Sequence, residues 1–132
     1  MLKQQELIDL IEKRYFNVMD QGRLDDTLAC IAPGCVWNIY PAGTVLKGRD
    51  SEIRAAFVSA MERYPTMWHG NFEWIVDEAA QKVAATFDVR LVDKAGRETR
   101  LSNVKLFKIE DGLFTQLDLY FSSTEPIVSK PA

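Results

Sequence analysis

The sequence predicts an α+β domain in which three helices cover the concave face of a curved antiparallel sheet. Three observations carry the prediction. Apolar residues recur at three- and four-residue spacing early in the chain, four β-rich runs fill its second half, and an Asp111-Gly112 pair separates the last two runs. With 132 residues, an apolar share of 47% and 7 Phe, the chain has enough apolar surface for one domain with a substantial core. That domain is read over residues 1–121, and 122–132, rich in Ser and Pro, as a loose tail.

In the first segment Leu7, Ile8, Ile11, Tyr15, Val18 and Met19 fall on one helical stripe, which stops near Gly22 and points Tyr15 inward. Leu24, Leu28 and Ile31 repeat the pattern in a shorter helix ending before Pro33-Gly34. The β-forming run 35–40 reads as a strand closed by Pro41. A loop through Gly43 and Gly48 leads to Asp50, the expected N-cap of a third helix whose buried stripe is Ile53, Phe57, Ala60, Met61 and Tyr64. After Pro65 come strand-like runs at 67–76, 83–92, 99–109 and 113–121. They are expected to form a meander, with Asp-Gly as the tightest hairpin signal.

Composition narrows the function. The net charge is −3, the pI is near 5.2, and Lys and Arg are scattered. Binding to nucleic acid or to an anionic membrane is therefore disfavoured. Residues 1–14 carry Glu6, Asp9 and Glu12 and match neither a signal peptide nor a basic transit sequence, and no apolar run approaches the ~20 residues of a bilayer span. A soluble, cytoplasmic protein is expected. Cys30 and Cys35 read as reduced structural thiols, since the single His, His69, is remote in sequence and the spacing matches no metal site. No metal or organic cofactor is implied.

Arg14-Tyr15 with Asp20-x-Gly22, Val36-Trp37-Asn38, Gly48-Arg49-Asp50-x-x-Ile53, Asn103-Val104-x-x-Phe107 and Asp111-Gly112 together resemble the NTF2-like superfamily. Within it the chain looks most like the SnoaL-like polyketide cyclases and the ketosteroid isomerases, over nearly all of its length to Phe121. The resemblance implies a cone with an interior ligand pocket and a homodimer formed through the outer sheet face, where Val104 and Leu106 are expected. It also implies positions for a site. Tyr15 falls on the oxyanion tyrosine of ketosteroid isomerases, Asn38 on their base and Asn103 on their protonated aspartate. An amide at Asn103 can still donate to an oxyanion, but an amide at Asn38 cannot accept a proton near neutral pH.

Each candidate has a plain alternative. Tyr15 is either a core tyrosine or a pocket donor, and the two strand amides need each other, water or a ligand, because an unsatisfied buried amide costs about 1–3 kcal/mol. His69 is the side chain best suited to proton transfer at neutral pH, but the alternation around it does not decide which face it takes. Asp118 lies where SnoaL-like cyclases use an acid-base aspartate, although strand parity sets it opposite Leu117 and Leu119. Lys105 shares parity with Asn103, yet a solvated lysine is the commoner outcome, and a Schiff-base role is the exception. Tyr40, Phe57, Met61, Phe87, Val89 and Phe121 either line an apolar cavity or fill a core, and the resemblance favours the cavity. Three functions compete: a cofactor-free lyase, isomerase or cyclase acting on a small apolar carbonyl compound, a binding protein for a small apolar molecule, and a dimeric assembly module.

Overall fold

The computed structural model describes residues 1–123 of the chain. Helix α1 covers residues 4–20, α-helical over Gln4–Ile11 and Asn17–Asp20 with a π-turn over Glu12–Phe16 between them. The wider turn slips the helical phase by one residue, so Tyr15 and Phe16, neighbours in sequence, are both buried. The helix closes at Gly22, whose φ of +71° suits a residue without Cβ. There the N–H of Gly22 donates to the Met19 carbonyl (2.9 Å) and that of Arg23 to the Val18 carbonyl (3.1 Å). This tight ending holds Asp20 over the sheet.

Helix α2 is Leu24–Leu28, and α3 covers residues 48–63, a π-turn over Gly48–Ile53 running into an α-helix over Arg54–Arg63. Two sequence expectations are corrected here. Ile31 opens the first strand rather than closing α2. Asp50 does not cap α3: its carboxylate grips the Arg49 guanidinium, while Glu52 reaches back to the N–H of Lys47 (2.9 Å) and the Ser51 hydroxyl donates to the Lys47 carbonyl (3.1 Å).

The strands are β1 (Ile31–Tyr40), β2 (Thr44–Lys47), β3 (Thr66–Asp77), β4 (Lys82–Val92), β5 (Glu98–Glu110) and β6 (Leu113–Tyr120), ordered β2-β1-β6-β5-β4-β3 in one sheet. The expected meander is β3 to β6, antiparallel throughout, and β1 runs parallel to β6. Strand β2 lies within the stretch read as a loop. Pro33 and Gly34 sit inside β1 at a register shift between Ile31 and Val36, a break in pairing that tolerates both residues. Asp111 (φ +51°) and Gly112 (φ +74°) form the β5–β6 turn with both central residues left-handed, as a two-residue hairpin requires.

Period-two alternation fixes the inner face. Leu101, Asn103, Lys105, Phe107 and Ile109 of β5 are buried, and Ser102, Val104, Leu106 and Lys108 face out. In β1, Cys35, Trp37 and Ile39 are buried. Strand β3 changes parity in the middle: the register shifts between Gly70 and Glu73, and Asn71 takes a φ of +54°. Met67 and His69 before this bulge, and Phe72 and Trp74 after it, are all partly buried. A Cβ at Gly70 would lie 2.2 Å from the ring of the exposed Trp68, so any side chain there would force that ring aside. Of the tail, Ser122 lies against β5, its hydroxyl accepting the Ser102 N–H at 3.0 Å; residues 124–132, where the rest of the expected loose tail falls, lie outside the described residues.

Candidate functional site

Between α1, α3 and the inner sheet face lies a cavity of about 60 Å³, room for a few waters or the core of a small molecule. That is well below the few hundred Å³ of a drug-sized site. Aromatic and aliphatic side chains make most of the wall, with Phe57 from α3, Phe87 and Val89 from β4, Leu119 from β6 and Phe121 beyond it. The polar members are Tyr15, Trp37, Tyr64, His69, Asn103 and Lys105. Among the described residues, none of those lining the cavity is a carboxylate.

His69 stands in this wall with a second-layer carboxylate behind it. Because β3 is the edge strand, its outer N–H groups lack a neighbouring strand, and Asp20 takes one of them. One Asp20 oxygen accepts the His69 backbone N–H at 2.8 Å, and the other lies 2.6 Å from Nδ1. A carboxylate on Nδ1 selects the tautomer with its proton there and leaves Nε2 as the basic nitrogen. The ring also packs on Phe16, centroids 4.8 Å apart, which holds its plane. Both partners are largely buried.

Asn103 is buried at 4% exposure and lines the cavity; its Oδ1 accepts the Ser122 N–H at 3.3 Å, which leaves the NH₂ group for another partner. Trp37 is buried with its indole N–H unpaired, the one such buried side-chain group among the described residues.

Lys105 departs from the sequence expectation most. It is 2% exposed rather than solvated, because β5 alternation drives it inward between Asn103 and Phe107, at a distance from the strand end that its four-carbon stem cannot span. Its Nζ lies 2.5 Å from the Tyr15 hydroxyl, and the rings of Trp37 and Tyr15 stand 4.5 and 4.7 Å away. Burial holds its pKa down at about 7, and burial pushes the Tyr15 hydroxyl well above its ordinary value. Tyr15 therefore lines the cavity as a neutral phenol tied to an amine.

Four predicted site residues lie elsewhere. Asn38 and Asp118 face outward as direct partners in the parallel β1–β6 register, and the Asn38 amide donates to Asp118 at 2.8 Å. The physical reason is parity: with Trp37 and Ile39 buried, Asn38 must point the other way. Tyr40 shares that outward parity and stacks on Tyr120 at 4.7 Å between centroids. Met61 is half-buried at the margin of α3, whose cavity-facing stripe is Ala56, Phe57 and Ala60, followed by Tyr64 at the helix end. Trp37 and Asp20 belong to motifs that carry the resemblance, but the sequence assigns them no site role. The first carried a signal, as the central inward residue of an apolar strand, whereas the second sits 49 residues from the histidine it orients.

Fold and cavity together define a small α+β domain with a partly open interior pocket, lined among the described residues by no carboxylate. The model of the SnoaL-like domain matches residues 13–117, and the chain belongs to that family. No curated protein sequence matches the chain. Among solved structures it is similar to AusH from Aspergillus nidulans (TM-score 0.80, 16% identity, 98% of this chain and 94% of that one). It is also similar to a proposed polyketide cyclase from Xanthomonas campestris (0.76, 21%, 90% and 92%) and to an NTF2-like protein of unknown function from Burkholderia pseudomallei (0.72, 19%, 89% and 91%). At these identities the likenesses establish the NTF2-like fold. No helix among the described residues is long and apolar enough to cross a membrane.

Proposed function

We propose that the chain is a cofactor-free lyase, isomerase or cyclase that moves a proton at carbon next to the carbonyl of a small, largely apolar compound held in the interior cavity. The observation that carries this reading is the Asp20–His69 pair, with a buried carboxylate orienting an imidazole whose free nitrogen is left for a ligand. Nε2 accepts the proton; the amide of Asn103 and the indole N–H of Trp37 supply donors for the oxygen on which negative charge develops. SnoaL-like membership supports the same class of chemistry. Among the described residues lining the cavity none is a carboxylate, which favours His69 over the strand positions as the base.

The test is deuterium exchange into small ketones such as pentan-2-one in D₂O, followed by NMR. Wild type should exchange the protons next to the carbonyl faster than buffer, and His69→Gln should lose about 10²–10⁴ of that rate. Exchange unchanged in His69→Gln would remove the reading. Binding without exchange would support the second reading, a carrier of a small apolar molecule, which the narrow and mainly apolar cavity favours.

The outer sheet face supports a homodimer as part of the proposal. Val104 and Leu106 are each 39% exposed, and Ile75, Ala84 and Leu106 follow one another across β3, β4 and β5 in register. A second copy would cover this apolar row and the adjoining Asp118–Asn38 pair.

A further inference from the structure

The cavity holds a nucleophile that the proton-transfer reading leaves unused. Lys105 lines it, lies almost wholly inside the protein, and has the Tyr15 hydroxyl as its hydrogen-bond partner. Four aromatic rings surround Nζ, Trp37 at 4.5 Å, Tyr15 at 4.7 Å, Phe107 at 5.5 Å and Phe16 at 5.7 Å. A structural lysine at such depth is normally paired with a carboxylate, because an uncompensated ammonium is costly there. Here the wall offers none, and the amine is the form that this environment favours.

We propose that Lys105 captures a small ketone, aldehyde or β-dicarbonyl compound in the cavity as a Schiff base, with Tyr15 as its proton relay. The inference rests on the same cavity as the reading above and adds a covalent step to it. The nitrogen lone pair attacks the carbonyl carbon and the C–O π pair moves to oxygen. A proton passes from nitrogen to that oxygen through the Tyr15 hydroxyl, giving a neutral carbinolamine. A proton delivered through the Tyr15 hydroxyl to the carbinolamine hydroxyl then breaks the C–O bond, water leaves, the nitrogen lone pair closes the C=N bond, and the iminium N–H returns its proton by the same relay. Amine and carbonyl give imine and water, with no oxidant or reductant. The protonated imine that precedes the neutral one is a cation, which the surrounding rings stabilise. While it lasts it acidifies the neighbouring C–H, the bond from which His69 takes its proton.

Burial that holds the Lys105 pKa near 7 keeps a large share of the amine unprotonated at neutral pH, unlike surface lysines. That difference makes the test selective. The probe is pentane-2,4-dione, which condenses with an unprotonated amine to an enaminone absorbing in the near ultraviolet. Wild type at pH 7 should gain one such chromophore per chain and the mass of one diketone less one water. Peptide mapping should place it on Lys105, Lys105→Met should lose it, and His69→Gln should keep it while losing ketone exchange. The proposal is overturned by an unmodified wild-type chain, or by adducts on surface lysines alone. Mapping in wild type decides the matter even if Lys105→Met folds poorly. Loss of exchange in His69→Gln with no adduct in wild type would sink the Schiff base and leave the proton-transfer reading standing.

Discussion

Lys105 makes stability depend on pH in a direction opposite to that of most buried acids. Its ordinary pKa of 10.5 falls to about 7 in the folded chain because burial penalises the ammonium. Below about pH 7 both states carry the proton and the folded state bears the full penalty. Between that point and 10.5 the unfolded chain holds a proton that the folded chain lacks, so stability rises with pH by about 1.4 kcal/mol per pH unit. The whole interval amounts to about 5 kcal/mol. The upper part is masked, since burial holds Cys30 and Cys35 up at about 11 against an ordinary 9.0. Above pH 9 the unfolded thiols lose protons first, and stability turns down. Urea unfolding of wild type at half-unit steps should therefore show a net gain of about 1–2 kcal/mol from pH 7 to pH 9, with the slope m constant, then a decline. Lys105→Met should lack the rise and decline slightly toward pH 9 as the unfolded thiols ionise. Its absolute stability is a poorer guide, because the Tyr15 hydroxyl loses its partner. A wild-type profile that is flat or falling from pH 7 to 9, or the same slope in Lys105→Met, would refute the reasoning.

Asp20→Asn should keep the fold but lower ketone exchange by at least tenfold through loss of the imidazole's orientation; Asp20→Ala should also cost about 1–3 kcal/mol in urea, since the His69 N–H loses its acceptor. Asn38→Ala should leave exchange and ligand binding unchanged, because its side chain meets Asp118 on the outer face. Leu106→Lys should shift light scattering from dimer to monomer at micromolar concentration with little change in thermal stability, and a wild type that is monomeric throughout would dismiss the dimer.

Elements with regular periods were legible in the sequence, and the exceptions each have a local cause. The helical stripe carried Tyr15 inward but not Phe16, whose burial depends on a π-turn that leaves no periodic trace. Alternation could not place His69, because the bulge after Gly70 lets residues of both parities in β3 face the helices. For Asn38 the strand's own parity and the family resemblance disagreed, and parity decided, with Trp37 taking the inward place. Lys105 was readable in principle: it alternates with Asn103 and Phe107 in a run whose odd positions are otherwise apolar or amide. Its usual preference for solvent concealed this. Nothing in the sequence joined Asp20 to His69, since that contact is made by the ending of α1 and the free edge of β3.

The central claim, that the interior cavity is a ligand site built around His69, is tested most directly by proton and nitrogen NMR of the chain titrated with phenol, a small oxyanion analogue. The unpaired Trp37 indole N–H and the His69 ring signals should shift together and saturate at the same ligand concentration. Trp68, exposed on the outer face, and Trp74, stacked on Phe72 beyond the bulge, should stay in place. Shifts confined to Trp68 or Trp74, or none at all at saturating phenol, would contradict the claim.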